Sequence, residues 1–158
     1  MTAMRRQKGH YFEREPGTPD PIRVETNRRV AFSEVDPMGI LWHGRYASYF
    51  ELANEKLGRR CGMSYEDFRR EDLRAPMVQF HVDYFASPVL AETVTICAQL
   101  IWNEGARLNV EYKVVKENGT LAASGYTVQM FVTAEGEPLL TSPELLLNCR
   151  EKWEQGEI

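Results

Sequence analysis

Between residues 22 and 32 apolar and polar side chains alternate, with Val24, Thr26, Val30 and Phe32 set among polar neighbours. A two-residue period of this kind predicts a half-buried strand. After the turn-forming run Asp36-Pro37-Met38-Gly39 the period lengthens. Tyr46, Tyr49 or Phe50, Ala53 and Leu57 recur at three- and four-residue spacing, which predicts a helix with one strongly apolar face. Gly62 supplies a left-handed cap, so this helix should stop near Cys61-Gly62. A shorter helix is expected from Ser64, with Asp67 three residues on as an imperfect capping box.

The second half reads as strand after strand, over 77–85, 92–102, 107–116 and 121–133, each rich in β-branched or aromatic residues. Asn118-Gly119 is expected to form a type I′ hairpin turn, and Asn103-Glu104-Gly105 serves similarly. The four strands should then follow one another as an antiparallel meander. Strands of about ten residues exceed the usual five or six and tend to curve, which leaves a concave face for one long helix. Residues 143–153 read as a helix or coil closing an edge. One strand, a buried helix and four antiparallel strands make an α+β layout.

Composition adjusts this picture in few places. At 158 residues the chain fits one domain. The run Glu15-Pro16-Gly17-Thr18-Pro19-Asp20-Pro21 disfavours helix and ladder alike, so residues 1–21 read as a flexible N-terminal arm before a domain over 22–158. Arg5, Arg6 and Lys8 within the arm read as a solvated terminus. A net charge of −4 with both signs interspersed gives no footprint for nucleic acid. Cys61, Cys97 and Cys149 form no C-x-x-C pair and read as reduced, partly buried thiols. No stretch approaches the roughly 20 apolar residues of a membrane span, and no apolar run follows the early charges, so a cytoplasmic protein without membrane contact is expected.

The segment Phe32-Ser33-Glu34-Val35-Asp36-Pro37-Met38-Gly39-Ile40-Leu41-Trp42-His43-Gly44-Arg45-Tyr46, followed by Tyr49-Phe50-Glu51, carries a more specific signal. It resembles the signature of the hotdog-fold acyl-CoA thioesterases of the 4-hydroxybenzoyl-CoA thioesterase and YbgC type. That signature is an aspartate, a glycine three residues later, a histidine or tyrosine seven after the aspartate, and a tyrosine three further on. All four positions match, at Asp36, Gly39, His43 and Tyr46. The resemblance runs from about Arg23 to Leu147. It departs in the residues around the aspartate and in Gly44-Arg45, where alanine-asparagine is frequent. Glu92 stands where many relatives carry aspartate. The resemblance implies a hotdog fold, a long central helix wrapped by a curved antiparallel sheet of about five strands.

Cleaving a thioester requires an oxygen nucleophile or base on one side of the carbonyl and hydrogen-bond donors for the developing oxyanion on the other. Taken alone, Asp36 is an ordinary turn residue before proline. With Gly39, His43 and Tyr46 at their spacing it becomes the candidate catalytic carboxylate, attacking directly or activating water. The helix starting near His43 presents unpaired backbone N–H groups, and in the resembling enzymes the backbone N–H at this position polarises the carbonyl. The His43 imidazole could orient Asp36 secondarily. Gly39, Tyr46, Met77 and Val78 are the candidate substrate-binding residues, Tyr46 mainly through packing, and strand 77–85 as a wall of a partner's pocket.

Another branch of hotdog thioesterases uses a glutamate on the central helix, which makes Glu51, and behind it Glu55, reserve candidates. No ligand cluster for a metal is apparent, and no cofactor is expected beyond the coenzyme A of the substrate. Acyl carrier protein is an alternative carrier. A site on one small sheet needs walls from a second subunit, and the resembling enzymes are dimers or tetramers, so a homodimer or homotetramer is expected. A hotdog hydratase or dehydratase and a non-catalytic acyl-binding protein are the competing readings.

Overall fold

The computed structural model describes residues 10–158. Its elements are β1 (Ile22–Arg29), a 3-10 turn (Phe32–Glu34), a second such turn (His43–Arg45) running into α1 (Tyr46–Arg60), and α2 (Tyr65–Arg70). There follow β2 (Met77–Tyr84), β3 (Thr93–Ile101), β4 (Arg107–Val115), β5 (Leu121–Met130) and α3 (Glu144–Glu154). The strands make one antiparallel sheet in the order β1-β3-β4-β5-β2. This is the expected α+β architecture.

The segment forming α1 contains no β-branched residue and no proline, and Tyr46, Tyr49, Phe50, Ala53 and Leu57 all lie on its buried face. Phe50 stacks on Tyr112 of β4 with ring centroids 4.3 Å apart and planes 3° from parallel. Gly125 of β5 makes this approach feasible, because a Cβ there would lie 2.1 Å from the His81 carbonyl oxygen and 2.8 Å from the Phe50 ring. The helix ends as its sequence suggests, with Cys61 N–H donating to the Leu57 carbonyl and Gly62 at φ +69°. Ser64 and Asp67 then cap α2 reciprocally. Leu146, Cys149 and Trp153 anchor α3: Trp153 packs edge-on against Trp102 and donates its indole N–H to the Asp20 carbonyl at 2.7 Å. Cys149 and Cys61, 88 positions apart in the chain, are neighbours in the core.

Three expectations need correction. The four later strands do not form one meander: β3, β4 and β5 do, but β2 lies at the far edge beside β5. Its link to β3 carries Pro88 and no tight-turn pair, and residues 85–92 easily span the roughly 14 Å across three strand spacings. The turn at Asn118-Gly119 is not type I′. Glu117 and Asn118 take its central positions, Gly119 N–H closes it on the Lys116 carbonyl at 3.0 Å, and Gly119 alone has positive φ, +83°. That is a type I turn with a glycine bulge.

The third correction concerns the arm. Residues 1–9, with Arg5, Arg6 and Lys8, lie outside the described residues, but residues 10–14 are held on the sheet face opposite α1. Tyr11 and Phe12 donate their backbone N–H groups to Glu111 at 2.8 and 2.9 Å, and Arg14 pairs with the same carboxylate at 2.9 Å. The Tyr11 hydroxyl meets Asp83 at 2.8 Å and Ser124 at 2.6 Å. The prolines at 16, 19 and 21 that follow do not prevent this segment from docking.

The two sheet edges differ. Along β1, Lys56 donates to the Glu25 carbonyl at 2.6 Å and Arg60 to the Arg23 carbonyl, so side chains of α1 occupy the outward acceptors. Along β2, Met77, Val78, Phe80 and Tyr84 are each about half exposed.

Candidate active site

Between β1 and α1 the chain makes a closed loop. Trp42 N–H donates to the Glu34 carbonyl at 2.9 Å, Val35 bridges Leu41, and Asp36 N–H donates to the Ile40 carbonyl at 2.9 Å. At its tip Gly39 N–H bonds the Asp36 carbonyl at 2.9 Å, and Gly39 adopts φ +76°, a conformation that favours glycine. The loop is in turn fastened to the β2–β3 link: Leu41 N–H donates to the Pro88 carbonyl and Leu90 N–H to the Gly39 carbonyl.

Asp36 is thereby fixed through its backbone. One carboxylate oxygen, Oδ1, accepts from Met38 N–H at 2.8 Å, and among the described residues Oδ2 has no protein partner. The residue is half-buried. The start of α1 contrasts with that of α2. It has no side-chain cap and no acidic residue in its first turn, and His43 and Arg45 sit there instead. Among the described residues, no acceptor takes the His43 or Gly44 N–H. A helix start left uncapped in this way favours an approaching negative charge.

The other sequence candidates fall in different places. The His43 side chain is exposed, with its ring 5.1 Å from that of Trp42, and makes no hydrogen bond to Asp36. Tyr46 is only 1% exposed and lies edge-on to Tyr84 with centroids 5.0 Å apart. Burial, with Tyr84 beside it, pushes its phenol up to about 12. Met77 and Val78 begin β2, roughly 20 Å by strand rise from Tyr84 at its other end, and therefore do not meet His43 of their own chain. Glu51 is exposed on α1, with the Tyr65 hydroxyl 3.5 Å away, and Glu55 forms an ion pair with Arg59 at 3.0 Å. Glu92 braces the β2–β3 link, accepting from Val89 N–H at 3.2 Å near Lys116.

Two residues next to the site escaped the sequence reading. Glu34, 6% exposed, accepts from Ala31 N–H at 2.9 Å, from Tyr49 at 2.8 Å and from Arg28. Burial alone would raise its pKa, but these three donors outweigh it and hold the carboxyl below its ordinary value. Tyr84 donates its hydroxyl to the His43 carbonyl at 3.0 Å. An acid in the apolar-flanked run before Asp36 was a signal for the first; nothing local marked the second.

A family model described as the thioesterase-like superfamily matches residues 30–148. The protein named "Putative acyl-CoA thioesterase YneP" from Bacillus subtilis (strain 168) is 23% identical over 106 residues, covering 67% of this chain and 77% of its own. The structure of a hypothetical protein from Thermus thermophilus superposes with a TM-score of 0.73 at 25% identity, over 84% of this chain and 98% of that one. That of the DHNA-CoA thioesterase from Staphylococcus aureus gives 0.72 at 24% identity, over 86% and 96%, and bears on the fold alone. The family match takes in the Asp36 loop, α1 and the whole sheet beyond it. The chain belongs to the thioesterase-like superfamily, and is a hotdog-fold thioester hydrolase.

Proposed function

We propose that the protein hydrolyses an acyl-CoA to the free acid and coenzyme A, with Asp36 as the nucleophile or general base and the start of α1 near His43 polarising the carbonyl. One observation carries this reading: a carboxylate oxygen and backbone N–H groups that have no partner among the described residues flank the same closed loop. The thioester carbonyl oxygen becomes negative as the carbon is attacked, and the uncapped helix start stabilises it there. Asp36 either adds to that carbon, giving a mixed anhydride that water cleaves, or takes a proton from the attacking water. On both routes the thiolate leaves and is protonated to the thiol. Glu51, five residues along α1 from Tyr46, is the reserve carboxylate.

The site is completed by a second copy of the chain. The half-exposed apolar side chains of β2 lie on an edge that no side chain among the described residues caps, while the β1 edge is occupied by Lys56 and Arg60. Two β2 strands pairing antiparallel about a two-fold axis between Phe80 and His81 would set Met77 opposite the other copy's Tyr84. Met77 and Val78 then serve the neighbouring site, a role their distance from their own His43 denies them at home.

Incubation with acyl-CoA, enoyl-CoA and acyl-carrier-protein thioesters, read by free thiol, tests the reaction. Thiol release is expected from acyl-CoA. Hydration of the enoyl double bond without thiol release would instead make the protein a hydratase, and binding with neither reaction would make it an acyl-binding protein.

A further inference from the structure

We infer that Tyr84 is a positioning residue of the hydrolase site: its hydroxyl aims and polarises the His43–Gly44 peptide, so that the Gly44 N–H joins the His43 N–H as a second donor to the thioester oxygen. The inference rests on the thioester-hydrolase reading above. Tyr84 closes β2, its ring is held edge-on by buried Tyr46, and its hydroxyl reaches the His43 carbonyl at 3.0 Å.

That carbonyl has no structural need of a second donor. At the start of a helix it is the N–H groups that lack partners, whereas the first carbonyls accept from the following turn. His43 opens the 3-10 turn that runs into α1, so its carbonyl already lies inside the ladder. The tyrosine therefore adds to a satisfied group. In a trans peptide the carbonyl and the following N–H point in opposite directions, and in a helix carbonyls face the C-terminal end. Tyr84 thus engages the peptide from behind, and the Gly44 N–H points forward, out of the helix start. A hydrogen bond at one end of a peptide group strengthens the donor at its other end.

The glycine fits the same assignment. A Cβ on Gly44 would lie 2.4 to 2.8 Å from three atoms of the Trp42 ring, so the indole occupies the place a side chain would take and walls one flank of this N–H. No other residue type leaves both the indole and the exposed backbone in place.

The chain contains one His-Gly pair, His43-Gly44, so protein labelled with carbon-13 at histidine carbonyls and nitrogen-15 at glycine gives a single correlated amide signal. Tyr84→Phe keeps the ring against Tyr46 and removes only the hydroxyl. The expected result is an upfield shift of the His43 carbonyl carbon and the Gly44 amide proton, with kcat for thiol release falling about tenfold and KM unchanged. The melting temperature should stay close to wild type, since the carbonyl keeps its helical partner. An unmoved signal, or a shifted signal with unchanged kcat, would overturn the positioning role while leaving the hydrolase reading intact. Loss expressed in KM alone, or matched by a collapse in melting temperature, would make Tyr84 a wall residue or a structural one. A wild type that releases no thiol from any carrier would overturn the hydrolase reading and this role together, even with the amide signal shifted as expected.

Discussion

The Tyr49 hydroxyl donates to the Glu34 carboxylate at 2.8 Å inside the protein, and this bond ties the first turn of α1 to the segment that leads into Asp36. Glu34 also receives Ala31 N–H and Arg28, so the approach to the candidate carboxylate is held from three sides.

Glu34→Gln should destabilise the protein by about 2 kcal/mol at neutral pH, because buried donors lose a charged acceptor. The effect is pH-dependent with a definite sign. The folded carboxyl lies below its ordinary value of 4.5, so its contribution is full above that value and fades as pH falls through the depressed one. Denaturation of wild type and variant from neutral pH downwards should show the stability gap narrowing below 4.5. A gap independent of pH would contradict the assignment.

Glu111 fastens the N-terminal segment in the same manner, with three donors from Tyr11, Phe12 and Arg14. Glu111→Ala should release that segment and cost about 3 kcal/mol, the penalty for stripping a buried charged acceptor from its donors. Trypsin should then cut after Arg14 far faster than in wild type. Equal cleavage rates would mean that the segment is not held by this carboxylate.

The free β2 edge predicts its own outcome. Replacing Val78 and Phe80 together by lysine should leave a folded monomer, by sedimentation and melting, with thiol release strongly reduced. A monomer with wild-type activity would place the whole site within one chain.

Much of the frame was legible in the sequence, because it rests on local rules. The apolar spacing from Tyr46 to Leu57, the Gly62 cap and the Ser64-Asp67 pair each determine their structure within a few residues. The position of β2 was not legible, since strand order depends on a link whose proline only excludes a hairpin without saying where the chain goes. The docked arm was missed because Glu111 and Tyr11, 100 positions apart, recognise each other only once the sheet exists. Similarly, the motif marked Asp36, Gly39 and His43 through spacing, but Tyr84 reaches His43 across 41 positions and Glu34 meets Tyr49 across 15, contacts that no spacing rule contains.

The most direct test of the account is the rate of thiol release from a cleaved acyl-CoA by Asp36→Asn set against Glu51→Gln. The asparagine keeps the Met38 N–H contact and the loop, and removes only the nucleophilic or basic charge. The expected result is a fall in kcat of at least about a hundredfold for Asp36→Asn, with Glu51→Gln within a few-fold of wild type. Undiminished release by Asp36→Asn, or the reverse order of the two variants, would contradict the central claim and move the chemistry to the helix.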